Sequence, residues 1–184
     1  MTDRSSLITA VDAHFLAPEA LARVRLFSRL GRDVEGWFKG ELAYVFESLR
    51  REGAIGEWRA NVPLREDGRQ RCDFRIVLSG EPLWLEVKAL PQRSSSGGRV
   101  DPGFFLQKGG PGDVTEDLVK LMRVPDGESL VLLFAYPRPD PAGWSEIMSA
   151  YARRITPISF REESRLDDYP EELYVCKLSL EGGF

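Results

Sequence analysis

Histidine is nearly missing from this chain of 184 residues, where His14 stands alone. A metal or hydrolytic centre built on several imidazoles is therefore excluded. A Ser-His-Asp triad would have to use His14, and no nucleophile-elbow sequence accompanies it. Cysteine is almost as scarce. Cys72 and Cys176 form no CxxC pair, so neither a zinc cage nor a disulfide framework can be built, and a reducing, cytoplasmic setting is expected. No apolar run reaches the roughly 18 residues that a membrane span needs. The first residues, MTDRSSLITAVDAHFLAPEA, lack the basic segment and apolar core of a secretory signal. No membrane partner is expected. Excess positive charge is also lacking, since 25 Lys and Arg face 29 Asp and Glu for a net charge of −4. That balance counts against a broad, sequence-independent duplex-binding surface. It leaves room for a local basic groove, because charge distribution matters more than the sum.

What remains is ordinary globular composition, 42% hydrophobic and 29% charged, enough for one domain with a proper core. Residues 1–17 read as an irregular lead-in. Pro18 can start a helix in which Leu21, Val24, Phe27 and Leu30 recur at helical spacing until Gly31. Residues 1–33 are thus an accessory helix packed on a single domain spanning 34–184. That domain opens with a helix from Val34 to Glu52, striped by Phe38, Leu42, Val45, Phe46 and Leu49, with Glu41 on the flank of the stripe. Strands follow at Glu57–Leu64 and on either side of Ser79-Gly80-Glu81-Pro82. Next come a helix from Val114 to Arg123, an almost wholly apolar strand Ser129–Tyr136, a helix Trp144–Ile155 and a last strand Leu173–Leu180. The order is mixed α/β, an antiparallel run joined to a parallel crossover.

The stretch Arg71–Leu90, RCDFRIVLSGEPLWLEVKAL, carries the chemistry. With Ser79 opposite Pro82, one face of the hairpin is wholly apolar. The other pairs Val77 with Trp84, Arg75 with Glu86 and Asp73 with Lys88. Asp73 and Glu86 become diagonal neighbours, about 7–8 Å apart between Cα atoms. Two carboxylates so placed can share a divalent cation. The competing account of the same residues is a pair of cross-strand ion pairs on a solvated face.

Asp73 on one strand and Glu86-Val87-Lys88 on the next resemble the PD-(D/E)XK nuclease superfamily, the restriction-endonuclease-like fold. Cys72 stands where the motif has proline. The phrases Lys39-Gly40-Glu41-Leu42-Ala43 and Asp117-Leu118-Val119-Lys120-Leu121 are similar to the helices before and after that hairpin. The resemblance covers most of residues 34–136. It implies a central mixed sheet flanked by helices, with additions at both ends, and a nuclease dependent on Mg2+, with Mn2+ as substitute. Asp73, Glu86 and the Val87 carbonyl would hold the metal. Glu41 would hold a second cation or a water, and Lys88 would orient the attacking water. Nucleic acid is the implied substrate, DNA ahead of RNA, with a homodimer or a partner protein as the source of any sequence specificity. The alternative is a nuclease-like module that binds or assembles without cutting.

Residues 91–112, PQRSSSGGRVDPGFFLQKGGPG, read either as a substrate-contacting flap or as a surface insertion. Arg93, Arg99 and Lys108 in this segment are candidate phosphate contacts, with Lys120 on the following helix as a fourth.

Overall fold

The computed structural model describes residues 3–31, 34–64, 70–93, 98, 100, 114–155 and 159–181. Within them, six strands form one mixed sheet in the spatial order β1-β2-β3-β4-β6-β5. These are β1 (Trp58–Pro63), β2 (Arg71–Leu78), β3 (Glu81–Pro91), β4 (Glu128–Tyr136), β5 (Ser159–Glu162) and β6 (Tyr174–Glu181). β3 and β4 run parallel, and every other neighbouring pair is antiparallel. The helices are α1 (Arg4–Phe15), α2 (Pro18–Leu30), α3 (Glu35–Arg51), α4 (Val114–Leu121) and α5 (Pro141–Ile155). The fold is thus α/β with a helix-flanked mixed sheet. No helix among the described residues is long and apolar enough to cross a membrane.

The lead-in expected over residues 1–17 is instead the helix α1. The Asp3 carboxylate accepts the Ser6 N–H at 2.9 Å and caps it. Leu7, Val11 and Phe15 then recur every fourth residue and bury one stripe. Two helices therefore precede α3 where one was expected, and α2 ends as anticipated at a left-handed Gly31.

Sheet alternation sorts the core into two layers. Phe74, Leu85, Leu130 and Phe134 face α1 and α3, with Phe38 stacked on Phe134 at 4.2 Å and Phe46 edge-on to Phe74 at 5.2 Å. Val131, Leu133 and Cys176 face α4 and α5, where Trp144 meets Tyr174 edge-on at 5.2 Å. A buried Lys177 on β6 ties α1 down. Its ammonium reaches Asp12 at 2.6 Å and also contacts the Tyr169 hydroxyl. The parallel register of β3 and β4 is fixed at its start by a close approach. Gly127 has φ +79°, and a Cβ there would lie 2.0 Å from the Pro82 carbonyl oxygen.

The motif hairpin is two residues out of the expected register. Ser79 (φ 52°) and Gly80 (φ 95°) alone make the turn, both left-handed, and Leu78 pairs with Glu81. This is the two-residue connection whose twist suits a hairpin. A shift by two keeps every side chain on its expected face, so the apolar face of Cys72, Phe74, Ile76 and Leu78 is buried as anticipated. The cross-strand partners change. Ile76 faces Leu83, Arg75 faces Trp84 and Phe74 faces Leu85.

Candidate functional site

The new register brings Asp73 level with Glu86. The backbone ladder ends at Phe74 with Leu85, and side chains supply the next bonds. The Val87 N–H donates to Asp73 Oδ2 at 2.9 Å, and the Asp73 N–H donates to Glu86 Oε1 at 3.3 Å. The two carboxylates are therefore anchored side by side, Glu86 on the Asp73 backbone and Asp73 on the backbone of Val87, the residue after Glu86. Lys88 does not stand opposite Asp73, because that pairing belonged to the unshifted register. Its ammonium lies 3.3 Å from Asp117 on α4.

Three lysines neutralise the carboxylates. Lys39 on α3 bridges Glu35 at 2.7 Å and Asp73 Oδ1 at 2.8 Å. Lys120 bridges Glu86 at 2.7 Å and Asp117 at 3.2 Å. Lys88 completes the chain at Asp117. Four carboxylates and three ammonium groups thus converge from α3, β2, β3 and α4. Burial works against the charge of each lysine, and the neighbouring carboxylates outweigh it, so all three amines are held above their ordinary range. Glu86 goes the other way for a carboxylic acid. It is 2% exposed, and burial, reinforced by the charges of Asp73 and Asp117, pushes its pKa up to about 8 even with Lys120 beside it. Asp117 is 6% exposed, and its Oδ2 accepts no hydrogen bond among the described residues.

The solvated-face account of the strand pair does not match this geometry. Glu86 is buried beneath α4, and Arg75 turns away from it to Asp126, at 3.9 Å, and over the Trp84 ring.

Glu41 lies elsewhere. His14 Nε2 is 2.6 Å from one of its oxygens and Arg23 Nη1 is 3.3 Å from the other. The cause is helical phase: Glu41 is two residues from Lys39, about 200° around α3, so the face that reaches Asp73 does not carry it. Glu35 and Lys39 occupy that face instead. They and Asp117 are the residues that sequence reasoning missed. A signal existed for the first two, since Glu35 and Lys39 form an i,i+4 pair. For Asp117 the i,i+3 spacing to Lys120 was the only hint. Lys120 itself belongs to the cluster. Arg93 is exposed at the end of β3, while Arg99 and Lys108 lie outside the described residues.

The donor chemistry suits a hard divalent cation, because Asp73, Glu86 and a backbone carbonyl at Val87 are all oxygen ligands. Two lysine ammonium groups stand on those carboxylates and act as stand-in cations. No group of three or more His, Cys, Asp or Glu side chains among the described residues is arranged to hold a metal ion. The protein contribution therefore rests on two carboxylates with water completing the shell, as magnesium tolerates. Lys39 and Lys120 would have to move aside. No family model, curated protein or solved structure matches the chain.

Proposed function

We propose that the chain is a divalent-metal-dependent nuclease, with DNA ahead of RNA as substrate. The observation that carries the reading is the pair Asp73 and Glu86, anchored side by side with Lys88 two residues beyond Glu86 on the same strand face. The element order α3-β1-β2-β3-α4-β4, with β3 and β4 parallel, supports the resemblance to the PD-(D/E)XK superfamily drawn from the motif.

When bound, a divalent cation supplies positive charge for the phosphoryl oxygens and lowers the pKa of a water ligand. Asp73 and Glu86 would hold it, with the Val87 carbonyl as a further oxygen. Asp117 fixes the Lys88 ammonium, which would orient the attacking water. Glu35 holds Lys39 where it can return to Asp73. No side chain becomes covalently attached to the phosphate. Glu41 has no part in the reaction and serves the packing of α1 and α2 on α3.

The ammonium groups of Lys39 and Lys120 also favour a second reading, in which they stand on the carboxylates permanently and the module binds or assembles without cutting. Calorimetric titration with manganese, run beside a cleavage assay, separates the two. The nuclease reading requires a saturable site that Asp73→Asn removes. Absence of any site would leave the non-cutting module.

A further inference from the structure

A cleft of about 790 Å3 opens beside α4, walled by Gln70, Thr115, Asp117, Lys120, Arg123 and Arg154. Asp117 and Lys120 belong to the charged cluster, so the cleft adjoins the candidate site directly. Its two arginines stand apart from the ion-paired ones among the described residues. Eight arginines among the described residues stand within ion-pair distance of a carboxylate. Arg123 and Arg154 do not. Arg123 only donates to Gln70 at 3.4 Å, which steadies it on the cleft wall. Arg154 is exposed on the last turn of α5 and has no polar partner among the described residues. The acids of the cleft do not cancel these charges. Asp117 is already neutralised by Lys88 and Lys120, leaving Glu116 alone. A second cleft of similar size, near α1 and β6, is different in charge: its Arg4 and Arg161 are both committed to Glu163, and Asp12, Glu128 and Asp168 line it beside Arg165, its one arginine without an ion pair among the described residues.

We propose that the α4 cleft is the backbone-binding track of the enzyme, in which Arg123 and Arg154 contact phosphates flanking the one at Asp73 and Glu86. The identity of the polyanion as nucleic acid rests on the nuclease reading. The charge imbalance beside the cluster does not. Uncompensated arginines in a chain of net charge −4 are where a phosphate backbone gains most, since each contact releases a condensed counterion.

The test is fluorescence anisotropy of a short labelled DNA, as duplex and as single strand, titrated with the full chain in EDTA across a salt series. The paired variant Arg123→Gln with Arg154→Gln is expected to flatten the slope of log K against log salt by about 1.8 for duplex or about 1.4 for single strand, two contacts' worth. The control pair Arg50→Gln with Arg51→Gln, whose arginines are paired with Glu47, is expected to leave the slope unchanged. An unchanged slope in the cleft variant, or equal flattening in both pairs, overturns the proposal. Cleavage by the parent in manganese is scored alongside. A parent that cuts while the cleft variant binds as the parent does refutes the track and spares the nuclease reading. A parent that neither binds nor cuts refutes both.

Discussion

Divalent-cation affinity should depend steeply on pH through Glu86. Its pKa stands at about 8 in the metal-free protein, against 4.5 for an ordinary glutamate. A cation needs the ionised carboxylate, so binding below pH 8 must expel a proton. Affinity should then rise about tenfold per pH unit well below pH 8 and level off above it, about 50-fold in all between pH 6 and pH 8. Titration calorimetry at several pH values, in buffers of different ionisation enthalpy, reads both the affinity and the proton released. Glu86→Gln should bind weakly at every pH and release no proton. Folding stability moves in the opposite direction. The folded protein holds this proton more tightly than the unfolded chain, so the associated stabilisation is full below pH 4.5 and is lost as pH rises through 8. The full difference, with the opposing effect of Lys120 already included, corresponds to roughly 5 kcal/mol at about 1.4 per pKa unit. Urea denaturation between pH 5 and pH 9 checks this. Metal affinity flat between pH 6 and pH 8 would refute the reasoning about burial at Glu86.

Lys88→Ala should keep metal affinity within about threefold and lose cleavage by at least about 100-fold, because Lys88 acts on water and not on the cation. Parallel calorimetry and single-turnover rates test the split. Glu41→Gln should leave metal affinity unchanged and lower stability by about 1 kcal/mol, through weakened contacts to His14 and Arg23, as chemical denaturation can show. Gly127→Ala should cost more than about 2 kcal/mol, since its Cβ would strike the Pro82 backbone and φ +79° disfavours a side chain. A thermal melt close to that of the parent would mean that the β3–β4 start can relax.

The elements legible in the sequence were those with an unmistakable period. The stripe of α3, the apolar run of β4 and the alternation of β2 and β3 each name their own structure. The hairpin register was not legible, because a two-residue turn at Gly80-Glu81 and one at Ser79-Gly80 keep the same faces buried. Only the left-handed pair at Ser79 and Gly80 decides it. That difference is what sets Asp73 level with Glu86 and sends Lys88 to Asp117. The helix α1 was not legible because its buried stripe is one residue wide and lies among Ser, Thr and Asp, residues that also suit loops. Glu41 and Lys39 lie on opposite flanks of the α3 stripe, and the stripe alone does not say which flank reaches Asp73. Which flank faces the hairpin depends on where α1 and α2 sit, and periodicity within α3 carries no information on that.

Cleavage of a panel of DNA and RNA substrates with manganese, comparing the parent with Asp73→Asn, tests the central claim most directly. Asp73 accepts the Val87 N–H on one oxygen and faces Lys39 with the other; an asparagine oxygen keeps the first bond, and Glu35 still holds Lys39, so the fold should survive the change. The account predicts cleavage of at least one substrate by the parent, none in EDTA, and a loss of at least about 100-fold in Asp73→Asn. A parent that cuts nothing, or an Asp73→Asn variant that cuts at the parental rate, would contradict it.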